Sequence, residues 1–255
     1  MIYAGIDIGS ATAKAALIRD NTILGTKVIA SGYHHGRAAE TVFSQLLTEL
    51  QLPREQVKAV VGTGYGREGI GFCDKAMTEI LCHGAGAHFL QPGIQGIVDI
   101  GGQDSKAIRV DSQGNVVDFS MNDKCAAGTG RFLEVMARAL ELDLSDLGSE
   151  SAKAKEPCRI SSICTVFAES EVISLIARQK KRSDIVAGIH ASAAARAASL
   201  AIKIGLAPPL MMTGGVARNP GMKAALASEL GCEIQVSPLA QEAGAIGAAV
   251  LASRL

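Results

Sequence analysis

Apolar residues come in short runs over the first thirty positions and then switch to a helical period. "IYAGIDI" predicts a strand, a glycine turn follows, and "KAALI" predicts a second strand that "RDNT" reverses into a third, "ILGTKVIASG". From about 37 to 50 the residues Ala38, Val42, Leu46, Leu47 and Leu50 recur at helical spacing, with Pro53 closing the segment. "VKAVVGTGYGR" predicts a strand running into a glycine-rich loop, and a helix is expected over about 75–90.

At residue 96 the pattern begins again. "GIVDIGGQDSKAIRVDSQGNVVDFS" lies on "AGIDIGSATAKAALIRDNTILGTKV" at a constant offset of 92, with Asp7 on Asp99, Gly9 on Gly101, Lys14 on Lys106 and Ala15 on Ala107. Two copies at a long period suggest two related lobes rather than a solenoid. The expected division is 1–95 as a first lobe completed by a C-terminal helix at 241–255, and 96–240 as a second lobe. Helices are predicted near 129–142, 167–180 and 184–205; the last is alanine-rich and therefore interior, with Gly205 as its stop. "PPLMMTGGVARNPGM" predicts a buried strand, a double glycine and a helix started by Pro220; "CEIQV" and "AQEAGAIGAAVLASRL" predict a last strand and helix.

Composition narrows the classes. The chain has 255 residues, 48% hydrophobic and 20% charged, enough to bury about 70–75% of its unfolded surface. Its 25 basic residues cancel 25 acidic ones, so no global field favours nucleic acid or an anionic membrane. No basic-then-apolar leader opens the chain, and no uninterrupted apolar run approaches the ~20 residues of a membrane span, which reads as cytoplasmic. Six cysteines, at 73, 82, 125, 158, 164 and 232, lack both CxxC pairing and the density of a secreted disulfide scaffold.

Chemistry concentrates in three glycine turns. In "DIGS" and "DIGG" an aspartate ends an apolar strand and glycine follows at once, so that backbone N–H groups can approach phosphate oxygens closely. The aspartate supplies a hard oxygen suited to magnesium, directly or through water. In "MMTGGVARNPG" a double glycine after a buried strand offers a surface for a flat base or sugar. Neither GxxxxGK[ST] nor GxGxxG after the first strand is present, which disfavours a P-loop or Rossmann fold.

The order "GIDIGSATAKAAL", "GTGYGR", "VDIGGQDSKAI", "TGGVARNPGM" and "QEAGAIGAA" resembles the superfamily of actin, acetate and sugar kinases and heat-shock chaperone ATPases. Within it, "NDKCAAGTGRFLE" and "ISSICTVFAESEVISL" resemble the activator ATPases of 2-hydroxyacyl-CoA dehydratases and benzoyl-CoA reductases, the BadF/BadG/BcrA/BcrD type, over essentially the whole chain. The resemblance implies an α/β, two-lobed actin-like (ribonuclease H-like) ATPase fold with a duplicated β-meander plus helices. It implies a first phosphate loop of Asp7, Gly9, Ser10 and Thr12 and a second of Gly101, Gly102, Gln103 and Asp104. Asp99 would stand opposite Asp7 across Mg2+, and Gly214, Gly215, Val216 and Asn219 would hold the adenosine of ATP or ADP. Gln103 or Asp104 is then the candidate that orients the attacking water.

The same resemblance implies a homodimer that shares one 4Fe–4S cluster, with Cys125 and Cys164 as each chain's two thiolates. Four thiolates suit such a cluster, and a two-fold axis supplies them without a CxxC motif. Both cysteines are expected where helices begin, a position that lowers thiol pKa. Cys73, Cys82 and Cys232 read as packing residues, while Cys158, in a polar stretch, reads as a thiol open to oxidation and outside the cluster. "HHGR" at 34–37 and "RQKKRSD" at 178–184 read chiefly as solvated surface.

The function this implies is an ATP-hydrolysing iron–sulfur electron-transfer activator. Ferredoxin or flavodoxin would be its donor, and a 2-hydroxyacyl-CoA dehydratase-like or benzoyl-CoA reductase-like component would be its acceptor. Two rivals share the fold: a small-molecule kinase of the N-acetylhexosamine type, and a non-redox ATPase acting as a binding module. Neither gives Cys125 and Cys164 a shared task.

Overall fold

The computed structural model describes residues 1–161 and 164–255. Strands β1 (Ile2–Ile8), β2 (Thr12–Arg19) and β3 (Thr22–Ala30) form the first meander. Arg19 pairs with Thr22 across a two-residue turn in which Asp20 and Asn21 take φ of 49° and 59°. Both central residues of such a turn need positive φ, which Asp and Asn tolerate best after glycine. Parallel to β1 runs β4 (Val57–Thr63), and parallel to β4 runs β5 (Lys75–Ala76), giving the order β3-β2-β1-β4-β5.

Helix α1 (His35–Glu49) covers one face of this sheet, its Ala39, Val42, Phe43 and Leu46 packing with Ile6, Ile8, Ala15 and Leu17. The other core clusters join the sheet to α2 (Glu79–Leu90) and α8 (Ala243–Ala252), through Val61 with Cys82 and Ala248 and through Ala16 with Ala245 and Ile246. Residues Met1–Ile97, Ile108–Asp118 and Ser237–Leu255 make up this first compact unit.

The second sheet has the order β10-β9-β6-β7-β8, from β6 (Gly96–Ile100), β7 (Ser105–Val110), β8 (Val116–Asn122), β9 (Leu210–Thr213) and β10 (Ile234–Gln235). The second unit, Val98–Ala107 with Phe119–Val236, holds α3 (Gly130–Ala139), α4 (Leu147–Ser151), α5 (Thr165–Ala177), α6 (Arg182–Lys203) and α7 (Pro220–Leu230). By length and composition α6 could cross a membrane, yet most of its apolar stretch is buried, with α4 and α7 packed on it. Its Ala193, Ala194, Ala197, Ala198 and Ala201 are all buried, as expected of an interior alanine face.

Differences from the predicted elements are local. The helix expected from 75 starts at Glu79, because Lys75 and Ala76 add a short strand to β4 first. Helix α4, only five residues long, was too short to show a period. The expected last strand shrinks to Ile234–Gln235.

Candidate functional site

The first-unit turn is built on a cross-strand pair. Asp7 and Lys14 lie opposite each other in the β1–β2 register, and Lys14 Nζ donates to Asp7 Oδ2 at 3.0 Å. The turn between them closes through Gly9 N–H donating to the Thr12 carbonyl, 3.0 Å, and Ser31 Oγ donating to the Gly9 carbonyl, 2.7 Å. Asp7 is buried, whereas Gly9, Ser10 and Thr12 are half-buried and so accessible to a ligand.

The second-unit turn repeats this geometry. Gly101 N–H donates to the Asp104 carbonyl at 3.0 Å, the same bond at an offset of 92. Lys106 stands in for Lys14, with Nζ 3.3 Å from Asp99 Oδ2, and it gains a second carboxylate, Asp104 Oδ2, at 2.9 Å. Lys106 is 1% exposed, and these two carboxylates offset its desolvation. Thr213 Oγ1 donates to Asp99 Oδ1 at 2.9 Å, so both oxygens of Asp99 already carry partners. Gly101 and Gly102 are half-buried and Gln103 is exposed.

The duplication reaches further than the aligned stretches. Gly64, at φ +86°, packs so tightly on Asp7 Oδ1 and the Ile8 carbonyl that a Cβ would collide with both; Gly214, at φ +87°, stands in the same relation to Asp99 Oδ1 and the Ile100 carbonyl. Only glycine fits such a place. Thr63–Gly64 is therefore the first unit's counterpart of Thr213–Gly214. In the segment expected from sequence to hold adenosine, Gly215 is exposed, Val216 buried and Asn219 half-buried. Asn219 caps α7, its Oδ1 accepting from Gly221 N–H at 2.9 Å and Met222 N–H at 3.3 Å, with Pro220 as the first helical residue. Since Oδ1 is the acceptor there, Nδ2 is the donor to His190 Nε2, 3.0 Å away. Burial lowers the His190 pKa to about 4, so the ring is neutral at pH 7, and accepting at Nε2 puts its proton on Nδ1.

The cysteines separate by environment. Cys164 is exposed and is the N-cap of α5, with an extended backbone at φ −97° and ψ 140°. Ser162 and Ile163 of its motif lie outside the described residues. Cys125 lies ahead of α3 and is not its N-cap. It lies four residues ahead of Thr129, the N-cap of α3, just before a turn closed by Thr129 N–H on the Ala126 carbonyl, and its own carbonyl accepts from Asn122 Nδ2 at 3.0 Å. A helix dipole falls off within one turn, and Cys125 lies ahead of the first turn of α3. Helices α3 and α5 pack on one another. Ser161, just ahead of Cys164, donates through N–H and Oγ to the Glu171 carboxylate of α5 at 3.0 Å each.

Burial pushes the Cys82 thiol up to about 12 and raises Cys73 and Cys158 as well. Cys158 is half-buried, between buried Cys82 and exposed Cys164. His34, Arg37 and Arg178–Arg182 are exposed, as expected of solvated surface, but His35 and Gly36 are half-buried and Ser183 and Asp184, at the end of the 178–184 stretch, are buried. Lys14, Lys106, Thr213, Gly64 and His190 carry the site without having been assigned chemistry from sequence; the repeat had already placed Lys14 on Lys106.

The model of the BadF/BadG/BcrA/BcrD ATPase family matches residues 4–252. The (R)-2-hydroxyglutaryl-CoA dehydratase activating ATPase of Acidaminococcus fermentans is 46% identical over 250 residues, 97% of this chain and 95% of that protein. Among solved structures, the activator of the 2-hydroxyisocaproyl-CoA dehydratase from Clostridium difficile with bound ADPNP is 45% identical at a TM-score of 0.93, covering 99% of this chain and 94% of that one. A ROK family glucokinase from Streptomyces griseus, 14% identical with a TM-score of 0.61 over all of both chains, shares the fold alone.

Proposed function

Because this chain belongs to the BadF/BadG/BcrA/BcrD ATPase family, we propose that it is an ATP-hydrolysing, iron–sulfur electron-transfer activator working in the cytoplasm. Its acceptor is a 2-hydroxyacyl-CoA dehydratase-like or benzoyl-CoA reductase-like component, and its donor a ferredoxin or flavodoxin. The observation that carries the redox part is the company of the two accessible thiols. Cys125 and Cys164 precede α3 and α5, two packed helices of the unit that also holds a phosphate turn and the adenosine segment.

The residues fit the groups they would hold. Gly9, Ser10, Thr12, Gly101 and Gly102 line the two turns beside which phosphate oxygens would lie, the Gly9 and Gly101 N–H groups closing the turns themselves, while Asp7 and Asp99, each already accepting from a lysine, would hold Mg2+. Gly214, Gly215, Val216 and Asn219 form the adenosine wall. Asp104 is buried against Lys106, so exposed Gln103 is the side chain that orients the attacking water. Cys125 and Cys164 are free thiols on one chain, and a homodimer doubles them to the four that one 4Fe–4S cluster needs. Such a cluster, when bound, supplies a one-electron carrier; the protein's own part is to hold it and to tie its exposure to the nucleotide.

Purification or reconstitution without oxygen, followed by iron and sulfide analysis, tests this. About four irons per dimer are expected. Cys125→Ala should lose the iron and keep ATP binding, whereas Asp7→Ala should lose magnesium-dependent hydrolysis and keep the iron. ATPase-active protein that never takes up iron would overturn the redox reading.

A further inference from the structure

The second phosphate turn and the entry to α3 share their hydrogen bonds. Gly130 N–H donates to the Gly101 carbonyl at 2.9 Å and Arg131 N–H to the Gly102 carbonyl at 2.8 Å. These are N–H groups of the first helical turn, which have no partner inside a helix, and here the turn supplies it. In a trans peptide the carbonyl and the next N–H point opposite ways. With the Gly101 and Gly102 carbonyls turned to α3, the N–H groups of Gly102 and Gln103 point away from it, free for a ligand.

A third bond comes from a side chain. Ser105, 3% exposed at the start of β7, donates through Oγ to the Gly128 carbonyl at 3.1 Å. Gly128 belongs to the Cys125 segment, which is closed at its other end by Asn122 on the Cys125 carbonyl and by Thr129 Oγ1 on the Ala126 carbonyl, 2.6 Å. Residues 122–131 are thus fastened to the phosphate turn at Gly101, Gly102 and Ser105. The first unit offers an internal comparison: there the Gly9 carbonyl accepts from Ser31, at the end of β3, and no cysteine segment is attached.

We propose that this hydrogen-bonded body transmits nucleotide occupancy to Cys125 within the second unit, and that Ser105 is its positioning residue. This rests on the nucleotide reading above and adds a route that needs no movement between units. Phosphate oxygens that draw on the Gly102 and Gln103 N–H groups shift the same peptides whose carbonyls hold α3, and Ser105 keeps the Cys125 turn in step.

The test uses the full chain without iron. Alkylation of Cys125 by N-ethylmaleimide is followed by peptide mass spectrometry, with and without Mg2+–ADPNP, and ADPNP affinity is measured separately. The expected result is a change of about fivefold or more in the wild-type Cys125 rate on adding nucleotide, the scale of an ordinary coupling between sites. Ser105→Ala should bring that ratio near one while ADPNP still binds, and Ser105→Thr, which keeps the hydroxyl, should restore it. Amide exchange at Gly130 and Arg131 in the wild type should slow with ADPNP, which decides the matter even if Ser105→Ala does not fold. A chain that binds ADPNP with no change at Cys125, Gly130 or Arg131 overturns the inference alone, as does a Ser105→Ala variant with the wild-type ratio. A chain that binds no ADPNP overturns the nucleotide reading and this inference with it.

Discussion

Neutral His190 is the partner of the Asn219 side-chain amide, and Asn219 caps α7. Its pKa of about 4 against an ordinary 6.5 has a definite sign for stability. As pH falls below about 6.5 the unfolded chain takes up the proton first, so stability is lost between 6.5 and 4, by up to roughly 3 kcal/mol. His190→Gln keeps an acceptor for Asn219 and cannot titrate. Urea unfolding at pH 7.5 and pH 5 should therefore show a smaller loss in the variant than in the wild type, and equal losses would remove His190 from the account. Lys106 shows the cost of a buried charge more directly. Lys106→Met leaves Asp99 and Asp104 facing each other without a cation and should destabilise by about 3–5 kcal/mol. Lys14→Met should cost less, because Lys14 answers one carboxylate and its side chain is 11% exposed. Urea midpoints of the two variants compare them.

At the scale of elements, the close packing of α2 on α8 depends on positions without side chains. A Cβ on Gly247 would collide with the Cys82 carbonyl oxygen, and one on Gly86 with that of Ala243. Gly247→Ala should cost about 3 kcal/mol, the upper end of overpacking, because backbone rather than a movable side chain blocks it. That corresponds to a melting temperature lower by roughly 6–12 °C in a protein of this size. Gly71, with nothing within 4 Å of the added atom, serves as the control, and Gly71→Ala should melt no lower than the wild type. The meanders, α1, α6 and the Pro220 start of α7 were legible in sequence because each has a strong local pattern: alternation, a 3.6-residue period, or a proline at the first helical position. The equivalence of Gly64 and Gly214 was not legible, since it depends on which backbone atoms each glycine meets. The Asp–Lys pairs were half legible. The offset of 92 aligned the lysines, but their role follows from the β1–β2 register that sets Asp7 against Lys14.

For the whole molecule, chain order and unit membership part company: Ser237–Leu255 belongs with Met1–Ile97 although the whole second unit intervenes. Helix α8 is not an appendage of the first unit. Ala245, Ile246, Ala248, Ala249 and Ala252 are fully buried in clusters shared with Ala16, Ile18, Val61, Cys82 and Ala85. Its packing also lets Gly5 of β1 lie against the Ala245 backbone, a contact too close for any side chain. A chain ending at Val236 would expose that face of the first sheet. Loss of Ile246 burial alone is worth about 1.5–3 kcal/mol, and the whole helix more than a protein margin of about 5–15 kcal/mol tolerates. The truncated chain should lose amide-exchange protection throughout β1, β2 and β4, while the hydrogen bonds among Asp99, Lys106 and Thr213 involve no residue of the missing segment. Adding residues 237–255 back as a separate peptide should restore protection in β1 if the helix docks as a formed element. If truncation leaves β1 protected, α8 is dispensable and α1 and α2 suffice to hold the first sheet.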